Sequence, residues 1–163
     1  MGEKIYVDKD IKLAETLPAK FYKDKNIFES SKKKIFLKCW HWIGDNSSCK
    51  EGNIKIPVDI LPKFLNEPVI ISNSDKNKIK CFSNVCTHRG NILVHEKCKS
   101  KKIICNYHGR RFDDEGKFEF MPEFKETINF PRKSDNLHDF PLFVWNNLIF
   151  VGLGKVFQIW DPN

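Results

Sequence analysis

Two short stretches, Cys86-Thr87-His88-Arg89-Gly90 and Cys105-Asn106-Tyr107-His108-Gly109, each combine a thiol, an imidazole and a glycine. Sixteen residues separate His88 from Cys105, and each stretch follows a predicted β-strand. The pattern therefore predicts two neighbouring loops that face each other and carry metal ligands. A glycine suits such a loop because the backbone must turn sharply and approach the inorganic atoms closely.

Two Cys and two His can also bind one tetrahedral zinc ion. The zinc-finger pattern places both Cys on one element and both His on the other, whereas each loop here carries one of each. The mixed arrangement favours a binuclear cluster in which one iron binds Cys86 and Cys105 and the other binds His88 and His108. Zinc remains the alternative.

A second Cys-x-His pair, Cys39 and His41, is a rival ligand pair. No glycine follows it directly, it lies at a predicted helix end, and it is far from Cys105 in sequence. We therefore interpret Cys39 as a packed thiol and His41 as a surface residue.

The flanking sequence predicts an all-β domain with an N-terminal helix. Asp24 is placed to cap a helix that runs towards Cys39, and alternating apolar residues at 54–60 indicate a strand. Two hairpins are expected, one across 113–116 and one across 146–147. These features predict an N-terminal arm and helix at 1–45, a β domain at 46–154 and a C-terminal tail at 155–163.

Composition excludes several classes of protein. The chain has 163 residues and a net charge of +7, but its basic residues are 24 Lys and only 4 Arg, which argues against nucleic-acid binding. No apolar run approaches the roughly 20 residues of a membrane span, and no signal peptide is evident. We expect a soluble, cytoplasmic protein in which the six Cys are thiols or metal ligands rather than disulfides.

The spacing C-x-H, sixteen residues, C-x-x-H resembles the Rieske [2Fe–2S] signature. Further similarity at 17–22, 40–44 and 112–117 resembles the N-terminal domain of ring-hydroxylating oxygenase α subunits. The resemblance covers roughly residues 17–153 and implies stacked antiparallel sheets with the cluster loops at one tip. It implies one [2Fe–2S] Rieske cluster, held by the metal ligands Cys86, His88, Cys105 and His108, with Arg89, Gly90, Tyr107 and Gly109 beside it.

Departures from the family pattern modify these expectations. High-potential members carry one extra Cys in each loop, where this chain has Asn91 and Tyr107, so no disulfide is expected. Arg110 and Phe112 replace a Ser and a Tyr that donate hydrogen bonds in that class, which implies a low-potential cluster. Many oxygenases have Trp at position 110. We expect Arg89, Arg110 and Arg111 to border a docking surface for an acidic partner.

The resemblance implies an oxidoreductase component that transfers electrons from a reductase or ferredoxin to a mononuclear iron. Such an iron is held by two His and one carboxylate, and we find no such motif among the remaining histidines. The iron, and with it all catalytic residues, is therefore expected outside this chain. As part of a ring-hydroxylating dioxygenase, the domain could belong to a trimer. The alternatives are a free-standing Rieske ferredoxin and, in a different class, a zinc-stabilised binding module.

We also expect the two loops to have little apolar support of their own, so that loss of the cluster would destabilise the fold.

Overall fold

A computed structural model describes residues 5–74 and 78–154, and the chain divides into two compact units, Met1–Leu37 and Lys38–Asn163. The predicted boundary after residue 45 differs from this division. Strand β1 (Trp40–Asp45) belongs to the second unit because it pairs along its length with β11 (Leu148–Gly152). The predicted tail, 155–163, lies outside the described residues.

Within residues 5–37 the N-terminal unit has two α-helices, α1 (Ala19–Lys23) and α2 (Lys25–Lys34). The predicted cap is confirmed, since Oδ1 of Asp24 accepts a hydrogen bond from the Asn26 N–H at 2.7 Å. Helix α2 ends sooner than expected, at Lys34 rather than near Cys39. Three successive lysines in its last turn face the negative end of the helix dipole and favour this terminus.

The second unit is built from three antiparallel sheets, as the all-β prediction requires. One sheet has the order β1-β11-β10, the central one β5-β2-β3-β4-β9, and the third β6-β7-β8. Besides β1 and β11, the strands are β2 (Ile54–Ile60), β3 (Glu67–Asn73), β4 (Ile79–Ser83), β5 (Cys98–Lys99), β6 (Ile103–Ile104), β7 (Arg111–Phe112), β8 (Phe118–Phe120), β9 (Asp139–Phe140) and β10 (Leu142–Trp145).

Both predicted hairpins are confirmed. Strands β10 and β11 pair across Asn146 and Asn147, whose φ values of 44° and 71° lie in the left-handed region. Two such residues form the tight turn whose twist matches that of the flanking strands. Strands β7 and β8 pair across 113–116 through a longer turn, with a register shift between Arg111 and Phe112. The second ligand loop, which carries Cys105 and His108, lies between β6 and β7.

A buried apolar core lies directly beneath the two predicted ligand loops. Both loop cysteines belong to it, together with Phe82 of β4 and Phe112 of β7. The expectation that these loops lack apolar support is therefore wrong, because each is anchored in the core through its own cysteine. No helix among residues 5–74 and 78–154 has the length and apolar character needed to cross a bilayer.

Candidate metal centre

The two loops share one backbone hydrogen-bond scheme. In the first loop, the Cys86 N–H donates to the Asn91 carbonyl at 2.8 Å and the Gly90 N–H donates to the Cys86 carbonyl at 3.0 Å. In the second, the Cys105 N–H donates to the Arg110 carbonyl at 2.8 Å and the Gly109 N–H to the Cys105 carbonyl at 2.9 Å. Gly90 and Gly109 have φ values of 70° and 71°, which explains the glycine in each motif.

This scheme brings like side chains together across the loops. Cys86 and Cys105 are buried, and their thiols hydrogen-bond each other. His88 and His108 are half-buried, and their ring centroids lie 4.8 Å apart in an edge-to-face arrangement. The four predicted ligands thus form a buried thiol pair and a more exposed imidazole pair. A binuclear centre with Cys on one iron and His on the other needs this division.

In the part of the chain that the structure describes, no three His, Cys, Asp or Glu side chains converge on a single metal position.

His108 provides a direct test of whether the residues fit such a group. Its Nδ1 atom is buried and has no hydrogen-bond partner among the described residues. A buried polar atom without a partner costs free energy, and a metal ion in contact with Nδ1 would remove that cost. The donor set therefore fits an iron–sulfur centre at this place.

The two sulfur atoms have different surroundings. Burial raises the pKa of Cys86 above its ordinary value. Burial also acts to raise the pKa of Cys105, but hydrogen bonds to its sulfur outweigh it and hold the pKa below the ordinary value. Four groups donate them: the Tyr107 N–H, the Cys86 thiol, the His108 N–H and the Asn91 amide, whose Nδ2 lies 3.8 Å from Sγ.

The other residues predicted beside the cluster all lie on these two loops. Tyr107 is 59% exposed and stacks against the His108 ring with a centroid separation of 3.7 Å. Arg89 is exposed at the tip of the first loop. A Cβ added to Gly109 would lie 3.4 Å from Pro122. Tyr107 therefore shields one face of His108, and Pro122 shows that a third segment approaches the site.

Sequence reasoning missed this third segment, residues 121–135. Phe124 lies edge-on to His88 with centroids 6.1 Å apart, and it also contacts Phe130 at 5.1 Å. A cavity of about 220 Å³ lies between this segment and the first loop, lined in part by His88 and Phe130. The segment has no regular period that could have signalled it. Its cluster of aromatic residues beyond the second loop is the only signal that the sequence offers.

The burial of Arg110 is the largest difference between the predicted and the observed surroundings of a site residue. Its side chain is 3% exposed, forms an ion pair with Asp135, and donates from Nη1 to Thr87 Oγ1 at 3.0 Å. Phe118 and Phe130 lie 5.0 and 5.6 Å from the guanidinium carbon. The prediction that Arg110 borders a docking surface is wrong, because these partners bury it.

Two further predictions can be compared with the structure. Arg111 is 38% exposed and forms an ion pair with Glu119 at 3.1 Å, a carboxylate that it shares with Lys102. His41 is buried at 9% exposure within β1, not at the surface as predicted. Its position opposite Val151 of β11 places it on the inner face of that sheet. Cys39 directly follows a 3-10 helix at Phe36–Lys38, as predicted for a helix end, whereas His41 lies in β1.

The family model for the Rieske [2Fe–2S] domain matches residues 39–131, a span that contains both loops and strands β1 to β8. The chain belongs to the Rieske [2Fe–2S] domain family. Its cofactor is accordingly one Rieske [2Fe–2S] cluster.

Known proteins with a similar sequence are oxygenase components. The carnitine monooxygenase oxygenase subunit of Escherichia coli K12 is 29% identical over 151 residues, covering 92% of this chain and 37% of that protein. The naphthalene 1,2-dioxygenase large oxygenase component of a Ralstonia species is 34% identical over 105 residues, covering 63% of this chain and 22% of that protein. This Rieske chain therefore spans little more than a third of the length of the first of these relatives.

Solved structures show the same fold. A quaternary ammonium Rieske monooxygenase superposes with a TM-score of 0.80 at 22% identity, covering 93% of this chain and 42% of that one. Naphthalene 1,2-dioxygenase superposes with a TM-score of 0.70 at 24% identity, covering 85% of this chain and 30% of that one. The chain therefore shares the fold of part of each of these oxygenases.

Proposed function

We propose that this Rieske domain is a one-electron carrier in which Cys86 and Cys105 bind one iron and His88 and His108 bind the other. The observation that carries the proposal is the separation of a buried thiol pair from a half-buried imidazole pair on two loops with the same backbone scheme. When bound, a cluster of this type accepts and releases one electron at a potential set by its ligands and their hydrogen bonds.

The residues of the chain divide the work of holding such a centre. The thiol pair is embedded in the apolar core, which excludes water from the sulfur atoms. The Tyr107 N–H, the His108 N–H and the Asn91 amide stabilise negative charge on the Cys105 sulfur and so favour the reduced state. The imidazoles lie towards solvent, between Tyr107 and Phe124. An electron can therefore enter or leave most directly at the histidine side.

We further propose that the electron comes from a reductase or ferredoxin and goes to a mononuclear iron that activates oxygen. The similarity to oxygenase subunits supports this role. We propose that His88 and Arg89 face the acceptor, because His88 is a ligand that is not fully buried and the exposed Arg89 lies next to it. A zinc module has less support, since the thiols and the imidazoles form separate pairs.

The test is the metal and electron content of the purified chain, produced without added zinc in iron-replete cells. We expect two iron atoms and two sulfide ions per chain, a visible spectrum that bleaches on reduction, and uptake of one electron per two irons in an anaerobic titration. A colourless protein with one zinc per chain would contradict the proposal. So would an uptake of two electrons per chain.

A further inference from the structure

The residue that follows the glycine of each loop, Asn91 or Arg110, extends its side chain to the other loop. Asn91 closes the first loop and its amide lies 3.8 Å from the sulfur of Cys105. Arg110 closes the second loop and its guanidinium donates to Thr87, next to Cys86. Each of these residues also provides the carbonyl that accepts the N–H of its own loop's cysteine. The two loops are thus held together by a pair of reciprocal side-chain contacts.

Arg110 extends its contact to the third segment. Its second nitrogen, Nη2, pairs with Asp135, and the Asp135 carbonyl oxygen accepts the Thr87 hydroxyl at 2.8 Å. The other carboxylate oxygen, Oδ2, accepts the Arg132 N–H at 2.7 Å. One buried guanidinium therefore connects both loops to residues 132–135. Because Arg110 is 3% exposed and Asp135 only 17%, solvent screens this charge pair weakly.

We propose that Arg110 is a positioning residue that also raises the reduction potential of the centre, and that Asp135 is its counter-charge. This inference rests on the proposed function, because it requires a redox centre on the two loops. The physical reason is simple: the reduced centre holds one more electron than the oxidised one, so a nearby cation stabilises reduction and a nearby anion opposes it. The cation lies close to both loops, because its Nη1 atom donates to Thr87, which stands between Cys86 and His88, and its own carbonyl accepts the Cys105 N–H.

The charge pair allows a test that separates electrostatics from loop geometry. Arg110→Met leaves the Asp135 carboxylate without its cation, so the midpoint potential should fall. Asp135→Asn leaves the Arg110 cation unopposed, so the potential should rise. We expect each change to alter the equilibrium constant for reduction by roughly tenfold, which is about 59 mV for a one-electron couple. The double variant should lie between the two single variants. If the pair only held the loops in place, both single variants would break the same contact and shift the potential in the same direction.

Two more variants complete the experiment, with the potential of each holoprotein measured by spectroelectrochemistry. Arg111→Met is the matched control, because Arg111 also pairs with a carboxylate and lies 5.1 Å from a phenyl ring, that of Phe120, but is 38% exposed. The Arg111→Met substitution should alter the equilibrium constant for reduction by less than about threefold. Arg110→Lys keeps the charge without the planar fork. Its potential should lie closer to that of the wild type than the potential of Arg110→Met does.

Opposite shifts in Arg110→Met and Asp135→Asn, larger than the shift in Arg111→Met, would support the role. Should Arg110→Met lose its centre, a rise in Asp135→Asn together with a near-normal potential in Arg110→Lys would support it. A potential for Asp135→Asn that is unchanged, lowered, or shifted no more than that of Arg111→Met would overturn it. Failure of the proposed function is distinguishable, because the wild-type chain would then show no two-iron centre at all.

Discussion

The two ligand loops share a backbone but differ in the side chains that close them. Both place a cysteine N–H on the carbonyl of the sixth residue and a glycine in the left-handed region. The sixth residue is a neutral amide in the first loop, Asn91, and a buried cation in the second, Arg110. The comparison teaches that the repeated backbone fixes where the ligands lie, whereas the closing side chain determines the electrostatic environment of the opposite loop.

If each loop supplies one cysteine ligand, removing the thiol of either loop should have the largest effect. Cys86→Ser and Cys105→Ser should each abolish the visible spectrum and the bound iron. The far-UV circular dichroism should stay close to that of the wild type, because Phe82 of β4 and Phe112 of β7 stay buried in the core beneath the loops. Cys98→Ser, at an exposed thiol, is the control and should keep full iron content. Retention of the spectrum in either loop variant would break the assignment.

The Asp135 carboxylate, which pairs with Arg110 of the second loop, predicts that the free energy of unfolding depends on pH. Although burial acts to raise the pKa of Asp135, hydrogen bonds from the Arg132 N–H and from Arg110 hold it below its ordinary value. A carboxylate with a lowered pKa stabilises the fold above its unfolded pKa of about 3.9 and loses that contribution as pH falls through the folded pKa. The wild type should therefore exceed Asp135→Asn in free energy of unfolding by about 1–2 kcal/mol at pH 7.

Urea unfolding at pH 7, 5 and 3.5 measures this difference. The difference in free energy of unfolding between the wild type and Asp135→Asn should be equal at pH 7 and 5 and smaller at pH 3.5. A difference that grows as the solution is acidified would show that the Asp135 carboxylate does not stabilise the fold.

The glycines sharpen the likeness between the two backbones. Gly90→Ala and Gly109→Ala should each lower the free energy of unfolding by about 1 kcal/mol, because alanine is disfavoured at φ values of 70° and 71°. The costs should match, since an added Cβ meets no atom within 4 Å at Gly90 and only an ordinary contact with Pro122 at Gly109. Asn tolerates this region better than Ala does, so the matching Asn variants should cost less. Unequal losses, measured by urea unfolding, would mean that the loops are not equivalent.

The smallest expected effect concerns the neutral closing residue. Asn91→Ala removes one weak donor to the Cys105 sulfur, so the reduced state loses about 0.5–1 kcal/mol and the potential falls by about 20–40 mV. Asn106→Ala, at an exposed amide beside the same cysteine, is the control and should leave the potential unchanged. A potential for Asn91→Ala equal to that of the control would show that the Asn91 amide does not affect the reduction potential.

Much of the fold could be predicted because its signals are local. Alternation at 54–60, the paired asparagines at 146–147 and the cap at Asp24 each depend on neighbouring residues. The two loops were recognisable because ligand and glycine spacing lies within each motif. Arg110 was misjudged because its burial depends on Asp135, 25 residues further along the chain. His41 was misjudged because its burial follows from pairing between β1 and β11, which are distant in sequence.

The central claim is that one histidine from each loop binds the same iron. The most direct measurement is pulsed electron paramagnetic resonance of the reduced protein, prepared once with ordinary histidine and once with ¹⁵N-histidine. We expect couplings to two histidine nitrogens, assigned to His88 and His108, that both change on labelling. A reduced centre with no histidine coupling, or with a coupling to only one histidine, would contradict it.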